Sequence, residues 1–204
     1  TAYAFEQFIR ENGLTAPIAR ALSKISSDSI EEINKTSLEI QAMISGAAVP
    51  DVIRVPLLNA YHELEAQTCK GVMIAMRSSA IGEDTEASFA GQYTTVLNVS
   101  EANILDAYKT VLASKYSAKA ISYRMRYGLS DRETPMCVVG IRMIDPISSG
   151  VIYTSANLAG ADDAVRITSL WGLGEQLVDG SASSDIYTVD RVTGSVLNRE
   201  ISTK

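Results

Sequence analysis

Residues 76–92 read Met-Arg-Ser-Ser-Ala-Ile-Gly-Glu-Asp-Thr-Glu-Ala-Ser-Phe-Ala-Gly-Gln, and they lie between two stretches of strand-like composition. The apolar run Gly71–Met76 leads into them, and Tyr93–Val99 follows them. Short apolar runs bounded by small and polar residues are typical of buried strands. The sequence therefore predicts a strand that ends near Arg77, a loop without lasting periodicity, and a return strand.

This loop begins and ends with groups that suit phosphate oxygens. Arg77 offers a fixed fork of donors, Ser78 and Ser79 add hydroxyl donors, and Gly91 would let the backbone approach a ligand closely. The pattern predicts a polyphosphate site. The residues alone leave an alternative open, in which the segment is a solvated loop and Arg77 pairs with the acidic residues of that loop. These acidic residues are Glu83, Asp84 and Glu86.

The bulk composition restricts the class of protein. The chain has 204 residues and a net charge of −6, with 46% hydrophobic and 21% charged residues, as in ordinary globular domains. This acidic balance argues against a nucleic-acid-binding surface, and no apolar run approaches the roughly 20 residues of a membrane span. Cys69 and Cys137 fit reduced thiols in a cytoplasmic protein. The chain begins without Met, so we expect it to be part of a longer protein.

Periodicity predicts an α+β fold, with a helical portion over residues 1–70 and a mixed α/β portion over residues 71–204. In the first portion, Ser27 or Ser29 is the expected N-cap of a long helix. Its inward positions, at helical spacing, are expected to be Ile30, Ile33, Ile40 and Ile44, with Ser37 filling a gap.

The second portion contains a helix capped by Ser100, followed by mostly extended segments. The predicted strands are 136–144, 150–155 and 164–170, with a hairpin of 185–190 and 195–200. Three further side chains are given structural roles. The turn at Gly172 and Gly174 is expected to position Trp171 in the core, Arg124 to be an ion-pair partner, and His62 to be a structural or surface residue.

The run Arg-Ser-Ser-Ala-x-x-Glu-Asp, then Ala-Ser-Phe-Ala-Gly-Gln and Thr-x-Leu-Asn-Val, resembles the ATP-binding domain of the phosphoenolpyruvate synthase and pyruvate phosphate dikinase family. Further segments resemble the same family and occur in the same order along the chain. They are 120–124, 149–154, 171–175 and 185–190. The resemblance spans nearly the whole chain and implies an ATP-grasp-like nucleotide-binding domain. Members of this family split ATP into AMP and phosphate, and pass the β-phosphoryl group through a phosphohistidine domain to pyruvate or another acceptor.

The resemblance also implies roles for individual residues. Arg77 matches the arginine that grips the nucleotide phosphates, which would make it the catalytic residue of this chain. The return turn against the phosphates would consist of Gly91, Gln92 and Thr95. Met143 and its neighbours match the strand that passes the adenine, and Ile141 stands there where many relatives have Gln.

Two features that the family pattern includes are not found in this sequence. The glycine-rich segment with a phosphate-binding lysine is expected upstream of it, and the carboxylates that bind Mg²⁺ are expected downstream, so the isolated chain is expected to be inactive. Ile141, and Thr168 where relatives often have Glu, keep open a degenerate, non-catalytic module. An ATP-binding domain of another dikinase, such as rifampin phosphotransferase, is a further alternative. The expected partners are nucleotide and the phosphohistidine and pyruvate-binding domains, without nucleic acid or membrane.

Overall fold

The computed structural model describes residues 1–26, 29–79, 93–154 and 164–202. The chain divides into two compact units, Thr1–Met143 and Ile144–Lys204. The first combines helices with a three-stranded antiparallel sheet, and the second contains a four-stranded antiparallel sheet. The predicted α+β class is confirmed. The boundary drawn near residue 70, which separates helical from mixed segments, stays a prediction.

Helices form most of the described part of the first unit. Their bounds are α1 Ala2–Glu11, α2 Thr15–Leu22, α3 Ile30–Gly46, α4 Asp51–Gln67, α5 Ile104–Ser114 and α6 Ala118–Arg126. The first four confirm the predicted helical character of the first third. Ahead of α5, a 3-10 turn at Glu101–Asn103 is capped by Ser100. Among the described helices, none is both long and apolar enough to cross a membrane.

Helix α3 follows its predicted stripe except at its first residue. Ser29 caps the helix by accepting the Glu32 N–H at 3.2 Å, and Ile33, Ile40 and Ile44 are buried. The prediction that Ile30 points inward is wrong, because its side chain is 77% exposed. It opens the helix, before the turns that pack against α2, α5 and α6.

The sheet of the first unit has the order β2-β1-β3, with β1 (Ile74–Ser78) hydrogen-bonded on both sides. Its neighbours, β2 (Thr95–Val99) and β3 (Val138–Arg142), both run antiparallel to β1. One face of the sheet packs against α5, so the buried residues of β1 join a core that also holds Phe8, Ile40 and Val111.

A group of largely buried polar side chains joins the end of α5 and helix α6 to Asp131, which is half-buried. Lys115, which is 0% exposed, donates from Nζ to the Asp131 backbone oxygen at 2.8 Å and lies 2.8 Å from Asp131 Oδ1. The Tyr116 hydroxyl donates to Asp131 Oδ2 at 3.0 Å. Arg124, 3% exposed, donates from Nη1 to the Lys115 oxygen at 2.6 Å and places Nη2 4.0 Å from Asp131 Oδ1. We call these four residues the Asp131 cluster. The predicted ion-pair role of Arg124 is confirmed.

The second unit is an antiparallel meander of β4 (Ser148–Tyr153), β5 (Ala164–Trp171), β6 (Asp185–Asp190) and β7 (Val196–Glu200), with the short helix α7 (Glu175–Val178). The predicted hairpin is confirmed as β6 and β7. At the glycine turn, Ser149 Oγ donates to the Gly172 oxygen at 2.6 Å, so the turn holds the end of β5 against β4. The prediction that the turn buries Trp171 is wrong, because that side chain is 65% exposed.

Gly150 is required by close backbone packing in β4. A Cβ at this position would lie 2.8 Å from the Thr168 carbonyl oxygen of β5. We expect Gly150→Ala to destabilise the second unit by about 1–3 kcal/mol, because backbone cannot move aside cheaply. Amide hydrogen exchange of β4 and β5 measures this effect. The matched control is Gly46→Ala, whose new Cβ meets nothing within 4 Å, and equal protection in the two variants would contradict the clash.

The pH dependence of stability is expected to carry a contribution from Lys115. Burial lowers its pKa to about 8, although the Asp131 carboxylate opposes that change. Between pH 8 and 10 the unfolded chain therefore holds a proton that the folded chain has released, and the free energy of unfolding rises by up to ~1.4 kcal/mol per pH unit. The rise ends near pH 10.5, the ordinary pKa of lysine, because the unfolded chain then releases this proton as well. Tyr108 lowers the free energy of unfolding above pH 10, because burial raises its pKa to about 12 and only the unfolded chain ionises there.

Urea unfolding of the wild type and of Lys115→Met at pH 7, 8, 9 and 10 tests this contribution. We expect the wild type to gain stability relative to the variant over that range, because the other titrating groups are common to both. Parallel pH profiles would show that Lys115 does not titrate there.

Candidate functional site

Alternation along β1 separates its side chains onto two faces of the sheet. Ile74, Met76 and Ser78 are buried on the core side, whereas Arg77 is exposed on the opposite side with half-buried Ala75. The Arg77 Nε donates weakly, at 3.4 Å, to the Ser78 carbonyl oxygen. Arg77 forms no ion pair with any carboxylate of the described residues. Within the part of the chain that the structure describes, no carboxylate competes with an anionic ligand for this guanidinium.

The neighbouring strands bring further side chains beside Arg77. Thr95 of β2 lies directly across from it on one side, and Val139 of β3 on the other. Ile141 lies across from Ala75. Directly paired residues share a face of the sheet, so these five residues form one surface, which we call the open face. Thr95, Val139 and Ile141 are all exposed there.

Met143 lies at the far end of the open face from Arg77. Its backbone N–H donates to the Met73 oxygen at 2.9 Å, which continues the pairing of β3 with β1. Its Sδ accepts the backbone N–H of Asn98 at 3.0 Å. Asn98 has a φ of 55° and lies at an irregularity in the β1–β2 pairing. Asn is among the residues that tolerate this left-handed conformation.

The predicted site residues are brought together only in part. Arg77, Thr95 and Ile141 share the open face, and Met143 lies at its end. Ser78 does not join them, because alternation turns it to the core side, where it is 6% exposed.

Two predicted ligands of the return turn, Gly91 and Gln92, lie outside the described residues. So do the acidic residues Glu83, Asp84 and Glu86, which were the alternative partners of Arg77. The roles predicted for all of these residues stay predictions.

Two members of the open face were not singled out from the sequence. Ala75 and Val139 carry no polar group, so a search for phosphate-binding chemistry passes over them. The signal that identifies Ala75 is the period of two along the strand, which puts residue 75 on the same side as residue 77. To place Val139 on the open face, one must also know how β3 pairs with β1, and the sequence does not show that register.

Other residues considered from the sequence lie apart from this face. His62 is exposed, as predicted for a structural or surface residue, and its Nε2 lies 2.8 Å from Glu101 Oε1. In the second unit, the Thr168 hydroxyl donates to the Val151 carbonyl oxygen at 3.4 Å. Over the described ranges, no group of three or more His, Cys, Asp or Glu side chains is placed to hold a metal ion.

The open face therefore combines one cation, one hydroxyl and a strip of apolar side chains. Arg77 and Thr95 can donate hydrogen bonds to an anion. Ala75, Val139 and Ile141 offer surface suited to a flat apolar group. Such a surface fits an amphipathic ligand that has an anionic end and an aromatic end, as a nucleotide does.

Comparison with known proteins agrees with this chemistry. The family described as "Pyruvate phosphate dikinase, AMP/ATP-binding domain" matches residues 1–204. A probable phosphoenolpyruvate synthase of Methanothermobacter thermautotrophicus is 34% identical over 100% of this chain and 30% of its own length. The phosphoenolpyruvate synthase of Aeropyrum pernix is 36% identical over 100% of this chain, and that of Escherichia coli is 36% identical over 95% of it.

These relatives are much longer than the chain, which spans 25% of the Aeropyrum pernix and the Escherichia coli proteins. The match of the family nevertheless runs from the first residue to the last. It includes both the strand that carries Arg77 and the strands paired with it. The chain belongs to the family of pyruvate phosphate dikinase AMP/ATP-binding domains.

Proposed function

We propose that the open face binds ATP, with the phosphates at the Arg77 end and the base toward Ile141 and Met143. The observation that carries this proposal is the position of Arg77 beside Thr95, exposed and without an ion pair to a described carboxylate. From the Arg77 pair to the Met73–Met143 pair the sheet extends four residues, or roughly 13 Å at about 3.3 Å per residue. This distance is long enough to place the phosphates of ATP at one end and the base at the other.

Arg77 would act through charge. Phosphoryl transfer spreads negative charge over the phosphate oxygens, and a guanidinium already held in place stabilises that charge without having to reorganise. β1 supplies the rigidity, because it is hydrogen-bonded on both sides. Thr95 would add a hydroxyl donor next to the same oxygens.

The apolar end of the face would position the base. Ile141 supplies contact surface but no side-chain hydrogen bond, so recognition of the base edge would depend on backbone groups. Gly91 and Gln92 keep their proposed place at the phosphates, and Ser78 a proposed supporting role from the core side.

Mg²⁺ is part of the proposal as the ion that accompanies ATP. Mg²⁺ is usually held by substrate phosphates with one or two carboxylates, and no metal-binding cluster occurs among the described side chains. We propose that its protein ligands lie elsewhere in the full-length protein. Arg77 would then share the neutralisation of the phosphates with the ion.

For the full-length protein we propose the activity of a dikinase that forms phosphoenolpyruvate. Phosphate would move from ATP through a phosphohistidine domain to pyruvate in a pyruvate-binding domain, in the cytoplasm. The names of the three relatives support this acceptor over rifampin. The free thiols Cys69 and Cys137 are compatible with a reducing compartment.

A non-catalytic module is the second candidate. Ile141 and Thr168 favour it, because each stands where relatives often have a residue able to contact ligand or metal. Calorimetry with Mg-ATP on the full-length protein separates the two candidates. Measurable heat supports the binding site, and no heat at millimolar nucleotide supports the degenerate module.

Replacement of Arg77 is expected to remove most of the activity. In the full-length protein, Arg77→Ala should lower pyruvate-dependent AMP formation by about 10³-fold, because such arginines stabilise transition-state charge. The matched control is Arg142→Ala. Arg142 pairs with Ile74 and so belongs to the other face of the same sheet. Retained turnover in Arg77→Ala, or an equal loss in the control, would count against the assignment.

A carboxylate across from Arg77 is expected to compete with the nucleotide. Thr95→Asp places an acid opposite the guanidinium, where paired side chains interact directly, and it also repels phosphate. The Kd for Mg-ATP in the full-length protein should rise by about tenfold or more, since 1.4 kcal/mol corresponds to tenfold. Thr95→Ser keeps the hydroxyl and should bind like the wild type, and similar affinities for Asp and Ser would show that Thr95 is not beside the phosphates.

A further inference from the structure

Few side chains of β3 are buried, so burial does little to fix the register of this strand. Val138 is half-buried, but residues 139–142 are exposed, and the central residue Gly140 has no side chain. A strand's register is strongly specified where one of its faces is buried and weakly where it is not. A slip of one residue along β1 would turn Val139 and Ile141 away from the open face.

The segment that leads into β3 is anchored much more firmly. Thr134 is 4% exposed and Met136 is 1% exposed, so both are part of the interior. The Cys137 oxygen accepts the Ser79 N–H at 3.0 Å, which extends the pairing beyond the end of β1. Upstream of these contacts lies Asp131, the residue on which the Asp131 cluster converges.

Two of the contacts to Asp131 are hydrogen bonds and so are directional, which apolar contacts are not: Lys115 Nζ donates to its backbone oxygen and the Tyr116 hydroxyl donates to Oδ2. Lys115 Nζ engages both the backbone oxygen and the carboxylate of the same residue, and its position is set by the Phe5 ring, whose centroid lies 4.6 Å away. Arg124 in turn holds the Lys115 carbonyl. Packed hydrophobic residues can be as stabilising as a buried ion pair, but they tolerate sliding, whereas the two hydrogen bonds from Lys115 and Tyr116 define one position for Asp131.

We propose that the Asp131 cluster is a positioning unit for the nucleotide site: by fixing Asp131 it sets the register of β3, and so places Val139 and Ile141 beside Arg77. This inference rests on the proposed function of the open face. None of the four cluster residues belongs to that face, so their effect on binding is transmitted through β3.

Lys115→Met in the full-length protein tests this role. Met keeps most of the apolar stem against Phe5 and removes both the hydrogen bond and the ion pair to Asp131. We expect the Kd for Mg-ATP to rise about tenfold, because Val139 and Ile141 would no longer be held beside Arg77. Hydrogen exchange should become faster in residues 138–143 of β3 and stay unchanged in residues 95–99 of β2. A merely structural role would lower protection in both strands alike and leave the Kd of the folded protein unchanged.

Lys109→Met is the matched control. Lys109 lies on α5 and donates to the Ser45 carbonyl oxygen at 2.9 Å, so the control also removes a lysine bond to backbone, but one that does not lead to β3. Its Kd and its β3 exchange should equal those of the wild type. Equal effects of the two lysine variants would overturn the proposal.

Tyr116→Phe covers the case in which Lys115→Met does not fold. It removes only the hydroxyl bond to Asp131 and should raise the Kd by about a few-fold, less than Lys115→Met does, because this single bond from a neutral hydroxyl is worth less than the contacts of a charged lysine. Wild-type affinity in Lys115→Met, or in Tyr116→Phe where the first variant does not fold, contradicts the positioning role. Failure of the wild type itself to bind Mg-ATP would instead refute the proposed function.

Discussion

The two-sided pairing of β1 is the constraint on which the first unit depends. Because the backbone groups of β1 are hydrogen-bonded to β2 on one edge and to β3 on the other, its alternate side chains can face two different environments. Ile74 and Met76 enter the core, and Arg77 stands outside between Thr95 and Val139. A shift by one residue would bury the guanidinium at a cost of several kcal/mol and expose Met76. The core therefore enforces the orientation of Arg77.

Local signals explain what the sequence could predict of the fold. Helical spacing over many residues located the first four helices, and Ser29 was recognisable as a cap from its residue type. Two strand-like segments separated by a short turn, residues 185–190 and 195–200, predict the β6–β7 hairpin. The wrong predictions concern burial at the ends of elements. Ile30 and Trp171 are apolar and lie at such ends, where the presence of a packing partner depends on tertiary structure.

For the candidate site, the sequence suggests which residues take part but not how they are arranged. Arg77, Thr95 and Ile141 were identified from motif and resemblance, and they share one face. Ser78 adjoins Arg77 in the sequence, but adjacent residues of an extended strand point to opposite sides, so closeness in the sequence does not place the two on the same face. The Asp131 cluster was predicted only through Arg124, because its other contacts join residues that are distant along the chain.

The bulge at Asn98 allows β2 to place valines on the core face of the sheet and Thr95 on the open face. Ile74 pairs with Val99, and a regular ladder from that point would set Val96 against Arg77 and turn Thr95 toward the core. Instead Arg77 pairs with Thr95, because β2 contributes one extra residue between the two pairs. Both valines, three positions apart, can then pack inward while the threonine lies on the open face. Bulges re-aim side chains in this way, and Asn98, at a φ of 55°, supplies a residue that accepts the required backbone.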